Sequence, residues 1–215
     1  DNTEVSYKAD NSPLTQADKA AHETIAGYLA QTGLPVLSEE GKETPYAERA
    51  RRDAFWMVDP LDGTKEFINR NGEFTVNIAR IVQGKTVQGV IYVPVLDVLY
   101  VGDVDHGAYK VEKASQLQAW GFADVQAAGQ KLPLDRPAPN KLCVVGSRSH
   151  MNKETQALID EVKVGYEDVE ILSRGSSLKF CMVAEGKAQF YPRIAPTMEW
   201  DTAAGHAIVK AMGGK

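Results

Sequence analysis

Residues 59–64, DPLDGT, constrain the fold of this chain more than any other segment. They follow the apolar run 54–58, which predicts a buried strand. Because Pro60 fixes its own φ and Gly63 permits a tight turn, the two aspartates can converge instead of alternating across a strand. Two carboxylates and a backbone carbonyl, that of Leu61, are hard oxygen ligands that suit Mg²⁺. The segment therefore predicts a metal-binding turn, with a capped turn of two solvated acids as the alternative.

Acidic residues recur at the ends of other predicted elements. Glu39 follows the short strand 35–38, and Asp18 lies in the first turn of a helix predicted over 15–32. Asp201 stands near the start of a later helix. Each acid by itself is explained as a helix cap or a solvated loop residue. Together with the aspartates of DPLDGT they predict an acidic cleft.

The other elements follow from the hydrophobic periodicity of the chain. Strands are predicted at 74–82, 87–95, 98–101, 107–111, 141–146, 168–172 and 188–193, and helices at 151–163, 176–186 and 201–212. The earlier strands indicate an antiparallel meander, and the later alternation indicates helices layered on a second sheet. The proline-rich stretch 132–139 separates the two parts. We therefore expect a metal-binding α+β subdomain over 1–139 and an α/β substrate-recognition subdomain over 140–215.

Composition restricts the functions open to the chain. It has 215 residues, of which 43% are hydrophobic and 25% charged, as in ordinary globular proteins. The formal net charge of −5 and the lack of a basic stripe disfavour a nucleic-acid partner. No apolar run approaches the roughly 18 residues that span a bilayer, which argues against a transmembrane segment and leaves peripheral membrane association and the oligomeric state open. The two cysteines, far apart in sequence, support neither a disulfide framework nor a zinc site and favour a cytoplasmic location.

The spaced acids carry a resemblance to a known family. Asp18, Glu39-Glu40, DPLDGT, Trp200-Asp201 and Gly213-Gly214 reproduce the signature of the lithium-sensitive, magnesium-dependent phosphatase superfamily, which includes the inositol monophosphatases. Within it, residues 36–40, 56–79, 175–186 and 199–207 resemble the CysQ-type 3'(2'),5'-bisphosphate nucleotidases. The resemblance implies an α/β fold, a layered αβαβ(α) sandwich of the inositol monophosphatase type with a large antiparallel sheet in the first half. It also leads us to expect a chain trimmed at both ends, because the opening helix and closing strands of the family are missing.

Carried over residue by residue, the resemblance implies a cluster of two or three Mg²⁺ ions. Its ligands would be Glu39, Asp59, Asp62, Asp201 and the carbonyl of Leu61. Asp18 and Thr64 resemble the pair that orients and deprotonates the attacking water, with Glu39 as the third catalytic residue.

The resemblance places substrate specificity in the second half of the chain. The implied substrate contacts are His150, Gly175, Ser176, Lys179 and Arg193, together with Glu39, Leu61, Asp62, Gly63, Thr64 and Asp201 around the scissile phosphate. A guanidinium at Arg193 suits a second, non-reacting phosphate. The alternatives are a solvated helix lysine for Lys179, a surface cation or a partner of Glu199 for Arg193, and a loop histidine for His150.

The leading interpretation is a Mg²⁺-dependent phosphomonoesterase that converts 3'-phosphoadenosine 5'-phosphate to AMP and phosphate, as the resemblance implies. Its partner would be a small nucleotide bisphosphate that arises in sulfur metabolism. An inositol or sugar monophosphatase is the alternative enzyme, although Arg193 and the segment 175–179 speak against it. A non-catalytic metal and phosphate sensor is the alternative from another class. Such a sensor would be expected to lack a residue that activates the nucleophile, whereas Asp18 and Thr64 are both present.

Overall fold

The architecture alternates sheets and helices in layers. A computed structural model describes residues 5–7, 13–136, 138–146, 152–194 and 196–215. A seven-stranded sheet packs through a layer of two helices against a smaller parallel sheet, and a further helix covers the far face of that smaller sheet. This arrangement confirms the layered α/β fold that was predicted.

The strands fall into three sheets. An antiparallel pair is formed by β1 (Val5–Tyr7) and β2 (Pro13–Thr15). The large sheet contains, in spatial order, β3 (Val36–Ser38), β4 (Ala54–Asp62), β5 (Thr75–Val82), β6 (Lys85–Val93), β7 (Val98–Asp103), β8 (Gly107–Glu112) and β9 (Gln130–Lys131). The third sheet is a parallel pair of β10 (Lys141–Gly146) and β11 (Asp168–Ser173). In the large sheet only β3 and β4 run parallel, so the predicted meander is confirmed.

Seven helices accompany the sheets in the described ranges. They are α1 (Gln16–Ala30), α2 (Tyr46–Arg49), α3 (Thr64–Ile68), α4 (Phe122–Ala128), α5 (Lys153–Val162), α6 (Leu178–Glu185) and α7 (Glu199–Ala211). The four predicted helices are found with boundaries shifted by a few residues. None of the helices in these ranges is long and apolar enough to cross a membrane.

Local sequence explains the meander. Along β5 buried and half-buried residues alternate strictly, as expected for a strand with one face against the core. The turn to β6 consists of Gln83 and Gly84, both with positive φ, at 49° and 72°. Two such residues form the tight turn whose twist suits a two-residue hairpin.

Helix α7 lies unusually close to the large sheet because glycines face it. A Cβ at Gly89 would stand 2.3 Å from the carbonyl oxygen of Ala204, and one at Gly102 would stand 2.6 Å from the Cα of Ile208. Both distances are too short for any side chain. The close packing fixes α7, and with it the acidic first turn of α7, over the sheet.

We expect Gly89→Ala to lower the free energy of unfolding by about 1–3 kcal/mol, because the added methyl group must push α7 away from the sheet. Gly27→Ala in α1 is the matched control, since a Cβ there meets no atom within 4 Å. Removing a glycine from an open helix position should raise the free energy by about 0.5–1 kcal/mol. Chemical denaturation measures both variants, and effects of the same sign would contradict the close contact of α7.

The second sheet is smaller than the sequence suggests. The predicted strand at 188–193 is wrong, because Phe190 makes only a single bridge to Val144 in the described residues. The backbone of Gln189 and Phe190 bonds Cys143 and Val145 at 2.9 Å, but the side chain of Gln189 occupies the next positions on β10, the N–H of Cys143 at 2.6 Å and the carbonyl oxygen of Lys141 at 2.8 Å. Pro192 also lacks the N–H group that a ladder would need.

The predicted subdomain division at residue 139 stays a prediction. The segment before it is held by backbone hydrogen bonds from Leu134 and Asp135 to the carbonyl oxygen of Glu185, at 3.0 and 2.9 Å. Helix α7, from the second part, packs on the sheet of the first part. The two parts therefore share one hydrophobic core.

Candidate active site

The DPLDGT segment brings its two carboxylates together through a strand irregularity. Strand β4 continues through Asp62, so the predicted end of the strand at residue 58 is wrong. The register against β5 shifts between Asp59, opposite Asn77, and Asp62, opposite Thr75. Such a bulge accepts Pro60, which lacks a ladder donor, and re-aims the side chains beside it. The convergence that Pro60 and Gly63 predict is thus achieved by a bulge inside the strand, and Gly63 follows it with a φ of 94°.

Glu39 reaches the same place from the neighbouring strand. Strand β3 runs parallel to β4 with Ser38 opposite Val58, and the N–H of Glu39 donates to the carbonyl oxygen of Val58 at 3.1 Å. This register puts Glu39 beside Asp59, and its negative charge helps to raise the pKa of Asp59. The parallel pairing therefore joins two of the predicted metal ligands.

The charges in this cluster oppose one another. The pKa of Asp59 is raised well above its ordinary value, first by burial and then by the negative charges of Asp62, Glu39 and Asp201. Burial likewise raises the pKa of Asp62, although a hydrogen bond from Ser177 and the charge of Lys179 partly offset it. A nearby cation would stabilise the ionised form of such buried carboxylates.

The donor set fits a hard divalent ion. It offers four carboxylates without histidine or cysteine, and oxygen-only donors suit Mg²⁺. In the part of the chain that the structure describes, no three acidic, histidine or cysteine side chains already stand close enough to enclose an ion. The fit with Mg²⁺ therefore rests on the chemistry and charge of these donors.

Asp201 enters the cluster from the first turn of α7. Its Oδ2 accepts hydrogen bonds from the Oγ1 of Thr197 at 2.7 Å and from the N–H of Met198 at 3.1 Å. Asp201 is therefore not the N-cap of α7, as its ordinary explanation proposed; it is the third helical residue, and its carboxylate caps the backbone N–H of the N-cap residue Met198. Asp201 thus caps α7 and also raises the pKa of Asp59 by its charge.

Asp18 and Thr64 meet as the resemblance implied. The Oγ1 of Thr64 donates to Oδ1 of Asp18 at 3.3 Å, across 46 positions in sequence. The other oxygen of Asp18 accepts from the N–H and the hydroxyl of Thr15, at 2.8 and 2.5 Å. Asp18 is almost fully buried, so α1 holds its carboxylate firmly against Thr64.

Two polar residues of the site were missed at the sequence level. The hydroxyl of Ser177 donates to Oδ2 of Asp62 at 2.8 Å and accepts from the side-chain amide of Asn77 at 2.9 Å. Both residues are buried. Asn77 occupies a core-facing position of the alternating strand β5, and a polar side chain in such a position is the signal that could have revealed it.

Lys179 is buried, which excludes the alternative of a solvated helix lysine. Its Nζ donates to the carbonyl oxygens of Ser176 at 2.5 Å and Arg174 at 3.4 Å. It also lies 5.8 Å from the ring centre of Tyr191. Burial lowers the pKa of Lys179 below its ordinary value, although the charge of Asp62 opposes this effect.

Arg193 points toward the acids and not toward Glu199. Its Nη2 contacts the Oγ1 of Thr197 at 3.1 Å and lies 3.9 Å from Oδ2 of Asp201. Glu199 is paired with Arg49 instead. The Nε of Arg193 and the Oγ of Ser176 are buried without a hydrogen-bond partner in the described residues, so both can serve a ligand.

One cleft of about 320 Å³ is lined both by acidic residues and by Lys179 and Arg193. Its lining includes the predicted residues Asp62, Gly63, Gly175, Ser176, Lys179, Arg193 and Asp201. The predicted residues Asp18, Glu39, Asp59, Leu61 and Thr64 do not line it and adjoin it through the DPLDGT segment. His150 lies outside the described residues. The cleft is thus lined by both carboxylates and cations, with Arg193 near Asp201.

Comparisons with known proteins show what the chain is similar to. The model of the inositol monophosphatase family matches residues 1–215. A protein of Shigella flexneri named 3'(2'),5'-bisphosphate nucleotidase CysQ is 46% identical over 213 residues, which are 98% of this chain and 78% of that protein. The crystal structure of CysQ from Bacteroides thetaiotaomicron has a TM-score of 0.86 at 52% identity, over 96% of this chain and 76% of that one.

A more distant structure extends the likeness of fold. Staphylococcal inositol monophosphatase-1, soaked in LiCl, has a TM-score of 0.71 at 17% identity, over 98% of this chain and 72% of that one. At this identity the likeness concerns the fold alone. With the family model matched over the whole sequence and close relatives over nearly all of it, this chain belongs to the inositol monophosphatase family, whose members are metal-dependent phosphatases.

Proposed function

We propose that this protein is a Mg²⁺-dependent phosphomonoesterase that hydrolyses 3'-phosphoadenosine 5'-phosphate to AMP and phosphate. The observation that carries the proposal is one cleft lined by two groups of opposite charge, an acidic group with Asp62 and Asp201 and a cationic group with Lys179 and Arg193. A substrate with two phosphates can use both groups at once. The relatives named 3'(2'),5'-bisphosphate nucleotidase support the same substrate class.

The acidic group would hold two or three Mg²⁺ ions. The proposed ligands are Glu39, Asp59, Asp62, Asp201 and the carbonyl of Leu61. When bound, such ions polarise the phosphoryl group, lower the pKa of water and neutralise the leaving alkoxide. The protein supplies rigidity, because Ser177 holds Asp62 and the α7 cap holds Asp201.

Asp18 and Thr64 would orient the attacking water. The hydroxyl of Thr64 donates to Asp18, so its lone pairs remain able to accept a hydrogen bond from water. The buried carboxylate of Asp18 can then receive the proton through the hydroxyl group. Glu39, which lies beside Asp59, would assist from the metal side.

The cationic group would bind the second phosphate. Arg193 and Ser176 both line the cleft, and each has one buried polar atom without a hydrogen-bond partner among the described residues. A guanidinium can grip a phosphate through two parallel hydrogen bonds. Lys179 would add positive charge to this binding site.

We also propose that the protein works in the cytoplasm, where its two buried free cysteines would stay reduced.

Removal of divalent cations tests this function. We expect phosphate release to stop in excess EDTA and to return with millimolar Mg²⁺, because the acids repel one another without a cation. Ca²⁺ should inhibit, since it fits carboxylates with longer and looser coordination. Following the family, Li⁺ should also inhibit. Full activity in EDTA would contradict the metal assignment.

A further inference from the structure

The loop 174–177 is held in place by several hydrogen bonds. Lys179 bonds the carbonyl oxygens of Arg174 and Ser176, and Ser177 bonds Asp62 in the DPLDGT segment. Ser176 adopts a positive φ of 43°, which a serine keeps only when its surroundings impose it. The position of this loop therefore depends on side chains that lie outside it.

Glu73 makes a hydrogen bond to this loop that has no part in the proposed mechanism. Its Oε2 accepts a hydrogen bond from the N–H of Gly175 at 2.7 Å, across 102 positions in sequence. Glu73 itself is set by a tight turn, since Gly72 has a φ of 77° and the N–H of Glu73 donates to the side chain of Asn71 at 2.9 Å. A charged acceptor on a rigid turn makes a strong and well-directed hydrogen bond.

Close packing reinforces this contact. A Cβ at Gly175 would stand 3.0 Å from the carbonyl oxygen of Glu73 and 2.9 Å from the Cγ of Glu66. A Cβ at Gly63 would stand 3.2 Å from the same carbonyl oxygen of Glu73. Glu73 therefore packs against both Gly63, in the DPLDGT segment, and Gly175, in the loop 174–177.

We infer that Glu73 is a positioning residue that holds the loop 174–177 at a fixed distance from the metal-binding segment. The inference rests on the proposed function for its kinetic part. Without the bond to Gly175, Ser176 would no longer be held where the second phosphate binds. Because Ser177 still anchors Asp62, substrate binding should suffer more than the metal site.

Three variants test the role of Glu73. Glu73→Ala removes the acceptor, and KM for 3'-phosphoadenosine 5'-phosphate should rise about tenfold with a nearly unchanged kcat and Mg²⁺ requirement. Glu73→Gln keeps an oxygen acceptor without the charge and should restore most of the affinity. Gly175→Ala leaves Glu73 in place but pushes the loop away, so it should resemble Glu73→Ala.

Hydrogen–deuterium exchange of the ligand-free protein gives a readout independent of activity. Exchange in 174–177 should be faster in Glu73→Ala and close to wild type in Glu73→Gln. The control Lys65→Gln removes a charge from another residue that lines the same cleft and should leave this exchange unchanged. Unaltered exchange in a folded Glu73→Ala, or equal effects of Glu73→Ala and Glu73→Gln, would overturn the inference. If the wild type is inactive but the exchange pattern is as expected, the proposed function is refuted and the positioning role of Glu73 is supported.

Discussion

Asp62→Asn is expected to lower kcat by at least about 100-fold while the protein stays folded. Asparagine keeps the shape and can still accept from Ser177, so the network around the side chain survives. Burial and neighbouring charge already raise the pKa of Asp62, which means that a neutral side chain costs the metal-free fold little. What the variant loses is the negative charge of a proposed metal ligand that lines the cleft. Steady-state kinetics over a Mg²⁺ titration, with a thermal unfolding curve, measure both effects.

Thr64→Ala serves as the contrast to this variant. Its hydroxyl contacts Asp18 and is not among the proposed ligands, so kcat should fall while the Mg²⁺ concentration for half-maximal activity hardly changes. Asp62→Asn should instead shift that concentration upward. An Asp62→Asn enzyme within threefold of wild type would favour the simple capped turn, and equal shifts in both variants would contradict the division of roles.

Arg193→Ala is expected to reduce kcat/KM for 3'-phosphoadenosine 5'-phosphate by about 2–4 kcal/mol, or roughly 30- to 1000-fold. Arg193 lines the cleft, and we propose that its guanidinium pairs with a phosphate that the proposed metal ligands do not hold. A monophosphate should be affected far less, since it needs only the acidic group. The preference for bisphosphate over monophosphate should therefore narrow.

Arg193→Lys is the matched variant for this prediction. It keeps the positive charge near Asp201 but loses the planar fork, so it should recover only part of the preference. Arg193 is a cleaner test than Lys179, because Lys179 also holds the carbonyl oxygens of the loop 174–177. If Arg193→Ala slows both substrate classes by the same factor, Arg193 supports Asp201 or the fold and does not read the second phosphate.

Local chemistry made much of the site predictable. Pro60 and Gly63 indicate a break in regular strand geometry, and the apolar run before them indicates a buried strand. The alternating pattern of β5 and the two-residue turn before β6 likewise follow from near neighbours in sequence. Such features depend on a few adjacent residues, so a single sequence is enough to read them.

Contacts between distant segments were not predictable in the same way. The hydrogen bond of Ser177 to Asp62 spans 115 positions, and that of Glu73 to Gly175 spans 102. The failure at 188–193 has the same origin, because the side chain of Gln189 takes hydrogen-bonding positions on β10 that a strand would use. Periodicity reports which face of a segment is apolar and says nothing about which polar group will compete for a neighbour's backbone.

The burial of Lys179 shows the same limit at a functional residue. A lysine in the first turn of a helix is normally solvated, and nothing beside it in sequence indicates otherwise. Its burial depends on the fold of 174–177 and on the ring of Tyr191. The family resemblance assigned it to the substrate side before any geometry was known.

Phosphate release from two substrates tests the central claim most directly. The wild-type protein is incubated with Mg²⁺ and either 3'-phosphoadenosine 5'-phosphate or inositol 1-phosphate, and initial rates give kcat/KM for each. We expect the bisphosphate to be preferred by about 100-fold or more, because only it engages both the acids and Arg193. Equal values, or a preference for inositol 1-phosphate, would contradict the nucleotidase assignment, and no release from either substrate would contradict a phosphatase.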